Sequence, residues 1–114
     1  MRQVMYIAVM MVKHGYADGM VGGACHSTPD TLRPALQILK TSPGVKLVSS
    51  FFLMVVPNRT QGHNGTFVFS DCGLNEDPDA EALADIAISS AKSFAMLTGA
   101  EPKVAMLSYS THGS

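Results

Sequence analysis

The stretch Asp18-Gly19-Met20-Val21-Gly22-Gly23-Ala24-Cys25-His26-Ser27-Thr28-Pro29-Asp30-Thr31-Leu32-Arg33-Pro34 sets the reading of the whole chain. Its first part is short, apolar and rich in glycine. It reads as a central strand over 19–24, with room for something to approach the backbone. The middle is rich in hydroxyls, and the last part opens a helix. A strand that hands over to a helix through small residues brings free N–H groups and the positive end of the helix dipole to one place, which favours an anion. Ser27, Thr28 and Thr31 add hydroxyl donors. Arg33 adds a fork of N–H donors matched to phosphate or carboxylate. Two readings stand at this point. One is an anion cradle; the other is ordinary capping by Thr28 or Asp30, with Arg33 in a surface ion pair. No Walker lysine follows the glycines and no Gly-x-Gly-x-x-Gly is present, so neither nucleotide fingerprint is met.

Upstream, residues 2–14 read as a helix, apolar on nearly all sides and therefore buried, with Gly15 as its stop. Downstream, 29–41 reads as a helix with Leu32, Leu36 and Leu39 on one stripe. Thr28 is its cap candidate and Pro29 falls in its first turn, while Pro34 pushes the start of the regular helix toward Leu32. Ser42-Pro43-Gly44 breaks the chain and divides it into 1–42 and 43–114. Residues 45–56 read as a long strand, covered on both faces at its end. A polar turn region over 57–65 then leads to a returning strand, Thr66–Ser70, and the two strands pair as an antiparallel hairpin. Asp77-Pro78-Asp79-Ala80-Glu81 is a helix start with Asp77 as cap and Pro78 at the first position; this helix runs to about Leu97 and is closed by Gly99. Lys103–Ser108 reads as a further strand, followed by a second hydroxyl-rich loop that contains Ser110. The order of elements is α/β. Ligand sites in open α/β sheets lie at the carboxyl ends of strands, which selects the loops after Ala24 and after Leu107.

The composition narrows the chemistry. The 114 residues are 46% hydrophobic and 15% charged with net charge −1, ordinary values for one small globular domain. No basic cluster marks a nucleic-acid or anionic-membrane surface. Cys25 and Cys72 have no partner at zinc or redox spacing, which fits a reduced, cytoplasmic protein, and the histidines show no ligand spacing, so no metal site is expected. The apolar run Val4–Val12 falls well short of the roughly 20 residues a bilayer span needs. It is followed by Lys13-His14 rather than a small-residue cleavage site, so it is not read as a signal peptide. The chain opens inside a helical pattern and stops inside a loop, as a fragment would. Asp71 follows a strand and reads as a turn aspartate or a substrate-orienting group; Cys72 reads as a small buried hydrophobe.

Three strings carry something more specific: Ala17 to Thr41, with Gly-Ala-Cys-His-Ser-Thr-Pro-Asp-Thr-Leu-Arg-Pro at its heart; Val68-Phe-Ser-Asp-Cys-Gly-Leu-Asn-Glu-Asp-Pro78; and Pro102-Lys-Val-Ala-Met-Leu-Ser-Tyr-Ser-Thr-His-Gly-Ser114. In this order they resemble the phosphate acetyltransferases, within the phosphate acetyl/butyryl transferases, and the resemblance covers nearly the whole chain. It implies an enzyme of acetate metabolism that interconverts acetyl-CoA plus phosphate with acetyl phosphate plus CoA. It also implies an isocitrate-dehydrogenase-like α/β/α sandwich in two domains, and a homodimer when full length. CoA and acetyl-CoA enter as substrates, and no cofactor is implied. On this resemblance, 1–42 is the end of the first domain and 43–114 the start of the second. Ser27, Thr28, Thr31 and Arg33 hold the phosphate end of the substrates, and His26, Asp71 and Ser110 are possible cleft-lining residues. Two departures stand out. His112 occupies a position where these enzymes commonly have lysine, and their later Ser-Arg-Gly motif, source of catalytic serine and arginine, has no counterpart before Ser114. The chain alone is therefore expected to be inert, with its catalytic residues beyond Ser114. Two other assignments stay open: a phosphate butyryltransferase, and an acetyl-CoA-responsive regulatory domain of a malic enzyme.

Overall fold

A computed structural model describes residues 2–108. The chain divides into two compact units, Met1–Gly44 and Val45–Ser114.

In the first unit, α1 (Arg2–Lys13) packs on α2 (Thr28–Ile38). The apolar residues of α1 predict burial on nearly all sides, but only one stripe is covered. Met5 and Val9, one turn apart, are buried; Val4, Ile7, Met10 and Met11 are exposed. The cause is geometric: within this unit α1 has a single helical neighbour, which covers only the i, i+4 stripe. Pro34 of α2 is fully buried, and the Tyr6 hydroxyl donates to Gln37 Oε1 at 2.6 Å across the two helices. Pro34 lies well inside α2 and does not delay its start. It only removes the N–H that would have bonded the Asp30 carbonyl.

The strand expected over 19–24 does not form. Residues 19–23 are irregular and lead into a turn at Ala24–Cys25. A strand needs a ladder partner, and among the described residues the only sheet is the two-stranded one of the second unit. The glycines do permit a close approach: a Cβ at Gly22 would collide with the end of the Met5 side chain.

The second unit is built on a hairpin. Antiparallel strands β1 (Phe51–Val55) and β2 (Thr66–Ser70) pair in the register Phe51↔Ser70 through Val55↔Thr66. The long strand expected over 45–56 is thus shortened to five residues. It is also exposed along its whole length rather than covered, because α4 (Ala80–Thr98) packs on β2 and leaves β1 as the outer strand. One irregular turn, α3 (Gln61–Asn64), sits inside the connection. Gly65 closes the hairpin at φ 83°, and its carbonyl accepts the Val56 N–H at 2.8 Å. A side chain at Gly65 would add left-handed strain and drive its Cβ into the Val56 carbonyl oxygen. Gly65→Ala should therefore cost about 2–3 kcal/mol. Faster hydrogen exchange at the β1 and β2 amides would register that loss; unchanged exchange would refute it.

Helix α4 starts two residues later than the Asp77-Pro78 pattern suggests. Asp79 is the cap, its Oδ1 accepting the Ala82 N–H at 2.8 Å. Pro78 consequently stands just ahead of the cap rather than at the first helical position. Gly99 ends the helix at φ 71°. Ile86 is the buried apolar anchor of this unit. Phe67 and Phe69, two apart on β2 and so on one face, lie with ring centroids 6.1 Å apart. The strand expected over Lys103–Ser108 is irregular here, again with no ladder partner among the described residues. The architecture is mixed α/β.

Candidate functional site

The hydroxyl-rich stretch sits at the N-terminus of α2, as its sequence predicts, but its donors are spent differently. Ser27, not Thr28, is the cap, with extended backbone (φ −70°, ψ 158°). Its oxygen accepts the Asp30 N–H at 3.3 Å and its hydroxyl donates to Asp30 Oδ2 at 2.8 Å. The spacing Ser27-x-x-Asp30 is a variant of the capping box, legible in the sequence. The Thr31 N–H and hydroxyl both donate to the Ser27 carbonyl, at 3.0 and 3.1 Å. Pro29 has no N–H.

The first turn has therefore used most of its donors on itself. Of the residues expected to hold phosphate, Ser27 and Thr31 are committed to internal bonds. Among the described residues, Thr28 is exposed and its hydroxyl takes no part in the hydrogen bonds of this helix start. Arg33 faces Asp30 at 3.8 Å between Nη1 and Oδ1, the two side chains being 50% and 39% exposed. That separation is beyond hydrogen-bond range, and a pair this open to water is worth under about 1 kcal/mol. The guanidinium is thus available to a ligand. His26 folds back on the glycine turn, with Nδ1 3.3 Å from the Gly23 carbonyl and Nε2 enclosed without a partner. The Cys25 sulfur lies 3.6 Å from the same Nδ1. Cys25 is exposed.

In the second unit, Asp71 is the most connected side chain described. Oδ1 accepts the N–H groups of Ser50, Gly73 and Leu74 at 3.3, 3.1 and 3.3 Å, together with the Ser50 hydroxyl. Oδ2 accepts the Asn75 N–H at 2.7 Å and the Asn75 side-chain amide at 2.6 Å. Asn75 also donates to the Val48 carbonyl at 3.0 Å, so the carboxylate ties the loop after β2 to the segment that leads into β1. Partial burial opposes ionisation of Asp71. The bonds from Ser50, Asn75, Gly73 and Leu74 outweigh it and hold the carboxyl well below the usual carboxylate range. The Cys72 thiol donates to Ser50 Oγ at 3.1 Å and is half-buried. Sequence spacing did not reveal Ser50 as a partner, because it lies 21 residues away in the chain, whereas Asn75 sits only four residues on, in the same turn.

Beside Asp71 and Cys72, an open groove of about 1060 Å³ runs between β2, α4 and residues 100–107, lined chiefly by apolar groups such as Phe67, Phe69, Leu83 and Phe94. Ser110 and His112 lie outside the described residues. Among the described residues no three His, Cys, Asp or Glu side chains gather as metal ligands, and no helix is long and apolar enough to cross a membrane.

Comparison with known proteins supplies the context for these residues. The family model described as phosphate acetyl/butaryl transferase matches residues 1–114. The chain is 71% identical over 110 residues to the phosphate acetyltransferase of Acetivibrio thermocellus, covering 96% of this chain and 33% of that protein. It is 61% identical over 109 residues to the phosphate acetyltransferase of Thermoanaerobacterium thermosaccharolyticum, again covering 96% and 33%. Its fold superposes on the crystal structure of a phosphotransacetylase from Streptococcus pyogenes with a TM-score of 0.77 at 52% identity, covering 97% of this chain and 32% of that one. The chain spans about a third of the length of these relatives. With all 114 residues matched, and with the capped, arginine-bearing helix formed from its first motif, the chain belongs to the phosphate acetyl/butyryl transferase family.

Proposed function

We propose that the protein to which this chain belongs is a phosphate acetyltransferase, which moves an acetyl group reversibly between CoA and phosphate. The observation that carries this reading is the N-terminus of α2. An unengaged Thr28 hydroxyl and a half-exposed Arg33 guanidinium lie within two turns of a chain matched in full to the family. That the named relatives are phosphate acetyltransferases supports acetyl as the transferred group.

In this reading the CoA thiolate attacks the carbonyl carbon of acetyl phosphate, the new C–S bond forms, and the C–O bond to phosphate breaks. The departing phosphate carries the electron pair. Arg33 would meet that charge with two N–H donors, and Thr28 would add a third. Ser27 and Thr31 shape the helix start and reach the anion only after giving up present partners. Asp71, whose oxygens are already filled, would act in the cleft by fixing the loop that carries Cys72. His26 would stand beside this phosphate site. The base that makes the thiolate, and the residues that complete the site, are assigned beyond these 114 residues. The same resemblance supports an isocitrate-dehydrogenase-like α/β/α sandwich, with 1–42 in one domain and 43–114 in the next, and a cytoplasmic homodimer that turns over acetyl-CoA, phosphate and acetyl phosphate.

A coupled assay for acetyl phosphate formation from acetyl-CoA and phosphate tests this. The full-length protein should turn over and the 114-residue chain should not. Absence of turnover in the full-length protein would overturn the function. Clear turnover by the short chain would overturn the placement of the catalytic groups outside it.

A further inference from the structure

We infer that Asp30 is a positioning residue of the phosphate site, an internal stand-in for the anion that must release Arg33 when phosphate arrives. The inference rests on the reading of residues 27–33 as the phosphate site. Its basis is how the carboxylate divides its oxygens. Oδ2 accepts a hydrogen bond from the Ser27 hydroxyl at 2.8 Å, and Oδ1 lies 3.8 Å from Arg33 Nη1. These are the donors a phosphate oxygen would seek.

The two contacts are unequal. The bond to Ser27 is short and belongs to the cap, which also holds the Asp30 N–H. The approach to Arg33 is loose and open to water, so an incoming dianion can replace it at little cost. Asp30 thus keeps the guanidinium beside the helix start while the site is empty, and then repels the anion that takes its place. Removing its charge while keeping an acceptor for Ser27 separates these effects. Asp30→Asn does this, and Asp30→Glu keeps the charge.

The test is steady-state kinetics of the full-length enzyme with phosphate varied at saturating acetyl-CoA, alongside Arg33→Ala. Asp30→Asn should lower the KM for phosphate by about fivefold at low salt, with kcat changing less. The gap should close as ionic strength rises and the charges are screened. Asp30→Glu should keep the parent KM and its salt dependence. A purely structural role in capping would shift melting in both variants without a salt-dependent change in KM. If Asp30→Asn leaves the KM unchanged or raises it while Arg33→Ala raises it, the inference is wrong. If Arg33→Ala itself leaves the KM unchanged, the underlying site assignment fails instead.

Discussion

Asp71→Ala should unfold the second unit under conditions where the parent chain holds. The substitution strands four backbone N–H donors, of Ser50, Gly73, Leu74 and Asn75, and frees the side chains of Ser50 and Asn75. A lone buried donor left unpaired costs about 1–3 kcal/mol. Water reaches part of this loop, so the sum is smaller than four full penalties; a loss of about 3–4 kcal/mol is expected. Asp71→Asn should not rescue it. An amide has one acceptor oxygen, and its NH2 would face either the two Asn75 donors or the Ser50, Gly73 and Leu74 donors.

The carboxyl also fixes the pH dependence. Its folded-state pKa is depressed, so the unfolded chain binds the proton first as pH falls. The stabilisation is therefore full above the ordinary carboxylate range, near pH 4, and is lost as pH falls through the lower folded value. Denaturation curves should show a gap between parent and Asp71→Asn that is flat above about pH 5 and shrinks below about pH 4. A gap that stays constant down to pH 2, or variants as stable as the parent at neutral pH, would contradict the role given to Asp71.

The elements that the sequence makes legible are those whose stabilising contacts are local. Helix α1 and the Gly99 stop of α4 follow from apolar pattern and glycine placement within a few residues, and the β1–β2 hairpin follows from two apolar runs close in sequence on either side of a polar turn. What the pattern misjudges depends on neighbours. The segments 19–24 and 103–108 have the composition of strands but no paired edge among the described residues, and composition cannot supply a ladder partner. Burial errs in the same way: the apolar surfaces of α1 and β1 are real, but α1 is covered along one stripe only and β1 is exposed along its length. At the candidate site the residue types were legible and their commitments were not. Ser27, Thr31 and Asp30 satisfy one another within one turn, a competition that a list of donors does not show. Asp71 is the sharpest case. Its sequence says turn, and Gly73, Leu74 and Asn75 of that turn do bind it, but the bonds from Ser50, far back along the chain, are not legible from spacing.

Arg33→Ala carries the largest functional effect. Stability should barely change, because the side chain is half exposed and its one ionic contact is loose. On the function proposed above, catalysis by the full-length protein should suffer on the phosphate side alone. Arg33 is the cation at this helix start whose donors are not already taken, and a forked guanidinium matches both the bound phosphate and the phosphate leaving acetyl phosphate. Well-aimed donors in a water-poor site are worth on the order of 2.7–4 kcal/mol; full solvent exposure would reduce that to about 1. The expected outcome lies between, a fall of about 30- to 300-fold in kcat/KM for phosphate and for acetyl phosphate. The KM for CoA should hold if, as proposed, Arg33 serves the phosphate end alone. Arg33→Lys should recover the charge but not the two parallel bonds, and so restore only part of the loss. Michaelis constants for phosphate and acetyl phosphate that match the parent's would reject Arg33 as a ligand. An equal loss on the CoA side would point to a disrupted helix start rather than a missing phosphate contact, and circular dichroism of the same variant would separate the two, because only the structural failure lowers its helical signal.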